Sequence, residues 1–122
     1  MKILVCGDRD WKNKTRIEKI LSEFTPTETT ILHGCCRGAD QLTDEVGINK
    51  GFSVKPFPAN WEKYGKRAGP IRNSLMLQDE PDIVIAFHDH IIESRGTADT
   101  INKAKKKKIP VLLVTTFGRH WL

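Results

Sequence analysis

Ile83-Val84-Ile85-Ala86-Phe87 is an unbroken apolar run. A strand with one wet face would alternate polar and apolar residues, so continuous hydrophobicity over this short length predicts a strand covered on both faces, as in a parallel sheet. Four comparable runs lie outward from it: Ile3 to Cys6, Thr30 to His33, Phe52 to Phe57 and Val111 to Thr115. Their lengths and β-branched content also predict strands.

Segments with helical spacing separate these runs. Ile17, Ile20, Leu21 and Phe24 recur at i, i+3, i+4 and i+7, which predicts a helix from Asn13 or Thr15 to Phe24, with Thr15 and Glu18 spaced as a capping box. Ala39, Leu42, Thr43 and Val46 form a second stripe that ends near Gly51. A third helix is expected from Ala68 or Gly69, with Pro70 in its first turn and Ile71 and Leu75 facing the core. A fourth opens at Gly96-Thr97, runs through Ile101 and Ala104, and is stopped by Pro110. The alternation predicts an α/β fold: a Rossmann-like doubly wound parallel sheet of about five strands, with helices on both faces. The whole chain, residues 1–122, reads as one domain without repeats or low-complexity linkers.

Composition narrows the class. With 39% hydrophobic and 29% charged residues, disorder, collagen and coiled coil are poor fits. The amino terminus turns charged at Asp8, too early for an export signal or a membrane span. Cys6, Cys35 and Cys36 are an odd count with two adjacent, so a disulfide framework is not expected and a reducing cytoplasm is. The formal charge is +5, and Lys103 with Lys105, Lys106, Lys107 and Lys108 supplies all of that excess. So local a cluster reads as a solvated helix end, where lysines complement the negative end of the dipole, and nucleic-acid binding is disfavoured.

In doubly wound sheets ligands sit beyond the carboxyl ends of the strands. Strand one delivers Gly7-Asp8-Arg9-Asp10-Trp11, where Trp11 offers a face for a base or plugs the core, and Asp8 or Asp10 caps the first helix or serves the site. Strand two delivers His33-Gly34-Cys35-Cys36-Arg37-Gly38-Ala39-Asp40, a glycine-bracketed loop that opens a helix and suits a phosphate cradle. It matches neither Gly-x-x-x-x-Gly-Lys-Ser/Thr nor Gly-x-Gly-x-x-Gly, which disfavours an ordinary ATPase or dinucleotide dehydrogenase.

Adjacent cysteines chelate one ion poorly, so no metal and no cofactor is expected. Cys35 and Cys36 read as loop fillers, with a lowered thiol pKa as the alternative beside a helix amino terminus. In the long connection from Pro58 to Asn73, Arg72 and Asn73 are suited to clamp a phosphate or ribose, and Trp61 and Tyr64 to cover a base, against a bland reading as loop packing. Gly96-Thr97 offers a second anion site, while His88 and His90 read as exposed loop residues. The tail with Trp121 packs on the sheet edge or meets another subunit.

Taken together, Gly7-Asp8-Arg9-Asp10-Trp11, His33-Gly34 with Gly38-Ala39-Asp40, Trp61, Ala68-Gly69-Pro70 with Arg72-Asn73 and Met76, and Gly96-Thr97 resemble the YspA-like, cpYpsA-related branch of the SLOG superfamily. That Rossmann-like group is related to the Lonely-guy phosphoribohydrolases. The resemblance implies a nucleotide or nucleotide-derived ligand. Enzymatic relatives cleave N-glycosidic bonds with Arg-Lys-x-x-Met and Gly-Gly-x-Gly-Thr-x-x-Glu segments. Here Arg72-Asn73-Ser74-Leu75-Met76 lacks the lysine, and Thr100 stands where the glutamate belongs, with Asp99 one position early on a different helical face. Glycosidic cleavage needs a carboxylate at the reacting centre.

Binding of a nucleotide-derived small molecule is therefore the expected function, as sensor, carrier or sequestering module. Gly7, Arg9, Trp11, His33, Gly34, Arg37, Gly38, Trp61, Arg72, Asn73, Gly96 and Thr97 are the expected ligand residues. An N-glycosidase using Asp8, Asp10 or Asp40 is the alternative, and nucleic-acid binding the second. A homo-oligomer is compatible with the chain, although no segment marks an interface, and no membrane partner is expected.

Overall fold

The computed structural model describes residues 1–122. The five expected strands form as β1 (Lys2–Gly7), β2 (Thr30–His33), β3 (Ser53–Pro56), β4 (Ile83–Phe87) and β5 (Val111–Val114), all parallel where they pair. A sixth, β6 (Arg119–Trp121), adds antiparallel to β5 with Leu112 opposite Trp121, so the tail closes the sheet edge and the sheet is mixed rather than purely parallel. The strand order is β3-β2-β1-β4-β5-β6. Because the chain winds outward from β1 in one direction and resumes at β4 in the other, the carboxyl ends of β1 and β4 flank the topological switch point.

Side-chain alternation divides each central strand between two cores. Ile3, Val5, Ile31, Ile85 and Phe87 face α1 (Lys14–Leu21) and α2 (Ala39–Lys50), which contribute Ile17, Ile20, Leu21 and Val46. Leu4, Leu32, Val84 and Ala86 face α4 (Ala68–Gln78) and α5 (Gly96–Lys106), which contribute Met76, Leu77, Ile101 and Ala104. Each fully buried aliphatic side chain contributes about 1.5–3 kcal/mol through burial. A single-turn helix α3 (Trp61–Tyr64) precedes α4. No helix is long and apolar enough to cross a membrane.

Several local expectations are corrected. The Thr15–Glu18 capping box does not form; α1 starts one residue after Asn13, whose Oδ1 accepts from the Arg16 amide at 3.1 Å. Phe24 lies beyond the end of α1 but still packs on the first core. Helix α4 turns a different face inward: Arg72, Asn73, Met76 and Leu77 are buried, whereas Leu75 is 49% exposed. Inward-facing Arg72 and Asn73 are tolerated because hydrogen bonds satisfy them, as the site makes clear. Helix α2 ends as expected, at Gly51 in the left-handed conformation (φ 87°) that glycine adopts without a Cβ clash.

Candidate functional site

A cleft of about 410 Å³ opens at the switch point. Its floor is made where Cys6 and Gly7 end β1 and His88 follows β4, and α4 and the start of α5 supply one wall through Arg72, Asn73, Met76 and Thr97. A second cleft of about 370 Å³ adjoins it, with Pro58, Ala59 and Trp61 as its apolar side. Arg9, Gly34, Cys36, Arg37 and Arg72 line both, so one cationic wall serves two hollows.

The β2–α2 loop is held by its own side chains. The Gly34 and Cys36 amides donate to Asp40 Oδ2 at 3.1 and 3.2 Å, and the Ala39 amide donates to the Asp8 carbonyl at 3.1 Å. The Cys35 amide donates to His33 Nδ1 at 3.0 Å, which leaves Nε2–H as the donor to Asp44 at 2.8 Å. Two amides of the expected phosphate cradle are therefore already taken by a carboxylate of the chain itself. His33 is buried, lines neither cleft, and braces the loop. Gly38, at φ 75°, lies against the Asp8 and Arg9 carbonyls, where any Cβ would collide; packing requires that glycine. Gly7 is similarly confined between the Phe87 carbonyl and Ala39.

Burial pushes the Asp40 carboxyl above its usual range, against the opposing pull of the Cys36 amide, His33 and Arg72. Its Oδ1 makes no hydrogen bond within the chain, and Asp40 lines the first cleft. Asp8 also lines it, with Oδ1 accepting from the Asp10 amide at 2.9 Å. Asp10 is exposed and sits 3.4 Å from Arg37, a pairing too open to shape the site strongly. Burial raises the Cys35 thiol as well, the opposite of the lowered value that a helix amino terminus would produce. No group of three or more His, Cys, Asp or Glu side chains is arranged to hold a metal ion.

Arg72 and Asn73 anchor the site in different ways. The Arg72 Nε donates to Asn73 Oδ1 at 2.9 Å, Nη1 donates to the Gly34 carbonyl, and Nη2 approaches Cys36 Sγ at 3.7 Å. Three of the five guanidinium hydrogens are thereby engaged and two remain. Asn73 has no such reserve. Its amide donates to Asp99 at 3.1 Å and to the Gly96 carbonyl at 3.4 Å, so it ties α4 to α5 instead of offering itself to a ligand. Asp99 also pairs with Lys103 at 2.9 Å and does not line the cleft. Thr100 does, with its hydroxyl on the Gly96 carbonyl at 3.3 Å.

Trp11 and Trp61 separate cleanly. Trp11 is 5% exposed, packs on Phe87 with ring centroids 5.7 Å apart, and donates Nε1–H to the Asn13 carbonyl, so it fills the core and leaves no face open to a base. Trp61 is 52% exposed beside the second cleft. Tyr64 lines neither cleft and lies under the Lys63 ammonium. Gly96 and Thr97 do line the first cleft, where the Thr97 amide donates to Ser94 Oγ and its hydroxyl has no partner in the chain.

His88 is a buried cleft residue that sequence reasoning missed. It is 7% exposed and lines the cleft, whereas His90 is exposed. The usable signal was parity: His88 falls on the same sheet face as Val84 and Ala86, the side that carries α4 and α5.

Residues 1–64 match the YspA, cpYpsA-related SLOG family. Gene 61 protein of Mycobacterium phage D29 is 34% identical over 119 residues, spanning 91% of this chain and 94% of that protein.

Proposed function

Because the chain belongs to the YspA, cpYpsA-related SLOG family, we propose that its paired clefts bind a nucleotide or nucleotide-derived small molecule, with the whole chain acting as one domain. The observation that carries this reading is Arg72: a guanidinium buried in the wall common to both hollows, braced on three sides and still holding two free N–H donors. A planar cation fixed in this way is pre-organised for a phosphate, because little side-chain entropy is lost on binding. Arg9 and Arg37 are exposed on the same wall and add mobile positive charge. Asp40 Oδ1 and Asp8 supply acceptors for ribose hydroxyls, and Trp61 supplies a flat face for a base.

Binding is better supported than glycosidic cleavage. Thr100, engaged with Gly96, stands at the position of the relatives' glutamate, and Asp40 is tied to two loop amides. A reducing cytoplasm suits three free thiols.

Calorimetric titration with AMP, ADP-ribose and cyclic dinucleotides should show saturable binding that Arg72→Ala abolishes or weakens at least about tenfold, as expected when a charge-assisted hydrogen bond is lost. Unchanged affinity in Arg72→Ala would remove the site assignment. Free base released from a panel of nucleoside monophosphates would instead establish the glycosidase reading.

A further inference from the structure

Among the buried side chains that line the first cleft, the groups without a partner in the chain are two Arg72 N–H groups, Asp40 Oδ1, the Thr97 hydroxyl and one ring nitrogen of His88. His88 differs from the rest in being defined on one side and open on the other. Its Nδ1 accepts from the His90 amide at 2.9 Å, so in the neutral ring the proton resides on Nε2. Nε2 makes no hydrogen bond within the chain, and the residue, 7% exposed, lines the cleft. The atom is open to the cleft rather than sealed in the core, so a ligand acceptor placed there takes over a hydrogen bond that solvent makes in the free protein.

We propose that His88 is a specificity-determining residue of this cleft, donating Nε2–H to an acceptor oxygen of the bound nucleotide derivative. The proposal rests on the binding reading above. Backbone geometry supports the role. His88 follows β4 directly, its amide bonds to the Val114 carbonyl at 3.0 Å, and the His90 amide fixes the far side of the ring, so the donor is aimed by main chain on both sides. Thr100, on the same cleft, is already bonded to Gly96, which leaves His88 Nε2–H as a free neutral donor among the buried lining side chains. Ligands with an oxygen acceptor there are favoured over analogues that carry a donor at the same place, which would leave two N–H groups opposed.

The test uses full-length protein with AMP and ADP-ribose as probes. Imidazole ¹⁵N correlation spectra of the wild type should show the Nε2-protonated tautomer at His88 and a shift of that resonance on adding the probe that binds. His88→Phe, which keeps the ring shape and removes the donor, should weaken binding by about tenfold, while His88→Gln, whose amide can replace Nε2–H, should stay within about threefold of wild type. Wild-type affinity in His88→Phe, or an unmoved Nε2 resonance in a saturated complex, overturns the proposal. If that variant fails to melt cooperatively, the wild-type resonance decides alone. Should Arg72→Ala lose binding while His88→Phe keeps it, only the His88 role fails; should the wild type bind none of AMP, ADP-ribose and cyclic dinucleotides, the binding reading fails with it.

Discussion

Arg72 passes directly beneath Gly34, its Nη1 bonded to the Gly34 carbonyl, and a methyl group built on that glycine would meet the same nitrogen at 2.5 Å. The loop and the cation are thus fitted to each other. Gly34→Ala should displace the guanidinium, costing about 1–3 kcal/mol of stability through overpacking. Calorimetry with the bound nucleotide should show weaker affinity, whereas an unchanged dissociation constant would mean that Arg72 does not need this position.

Asp40 holds two amides, and its variants should separate hydrogen bonding from charge. Asp40→Ala leaves the Gly34 and Cys36 donors without an acceptor and should lower stability by about 1–3 kcal/mol in denaturant titrations. Asp40→Asn keeps an acceptor oxygen and removes the charge that burial disfavours, so it should be the milder change.

The same carboxyl has a pH signature. Burial raises its pKa in the folded state, so the folded chain holds this proton more tightly than the unfolded chain does. Its contribution to stability is full below the unfolded value near 3.8 and is lost as pH rises through the higher folded value. Melting temperature plotted against pH should therefore shift in favour of Asp40→Asn as pH rises from 3.8. A shift the other way would show that the loop amides outweigh desolvation.

Trp11 and Trp61 should exchange roles between assays. Trp11→Ala should cost about 3–5 kcal/mol, since it empties a core position against Phe87. Trp61→Ala should change stability by less than about 0.5 kcal/mol and show its effect in nucleotide affinity. Equal melting curves for the two variants would contradict the burial described.

At the turn before β6, Asp89 accepts from the Thr116 hydroxyl at 2.6 Å and the Thr116 amide at 2.7 Å. These bonds hold its carboxyl below 3.8, the hydroxyl contributing most. Its stabilisation is present above the unfolded value and lost as pH falls through the folded one. In an NMR titration, Thr116→Val should bring the Asp89 carboxyl back toward 3.8; no movement would assign the shift to other neighbours.

Strand positions were legible because burial on two faces leaves continuous apolar runs, as at Ile83 to Phe87. The third strand of the sequence reading is trimmed at both ends, since pairing with β2 spans only Ser53 to Pro56. β6 carried no such mark: Arg119, His120 and Trp121 are all exposed and join the sheet through backbone bonds alone. The inward face of α4 was misread for a related reason. Hydropathy favours Leu75 as a core residue, but Arg72 and Asn73 are buried by partners 23 to 38 residues away that no local pattern displays. The glycine-rich loop after β2 likewise looked open because nothing in its spacing shows that Asp40 folds back onto it.

The sheet ends on both sides in short strands, with Lys55 and Pro56 on β3 and Arg119 on the three-residue β6. Proline withholds one donor, and four and three residues are short for a strand, so neither border offers a long flat template for fibrillar growth. The protein should consequently tolerate crowding in concentrated solution without recruiting its own edges into aggregates.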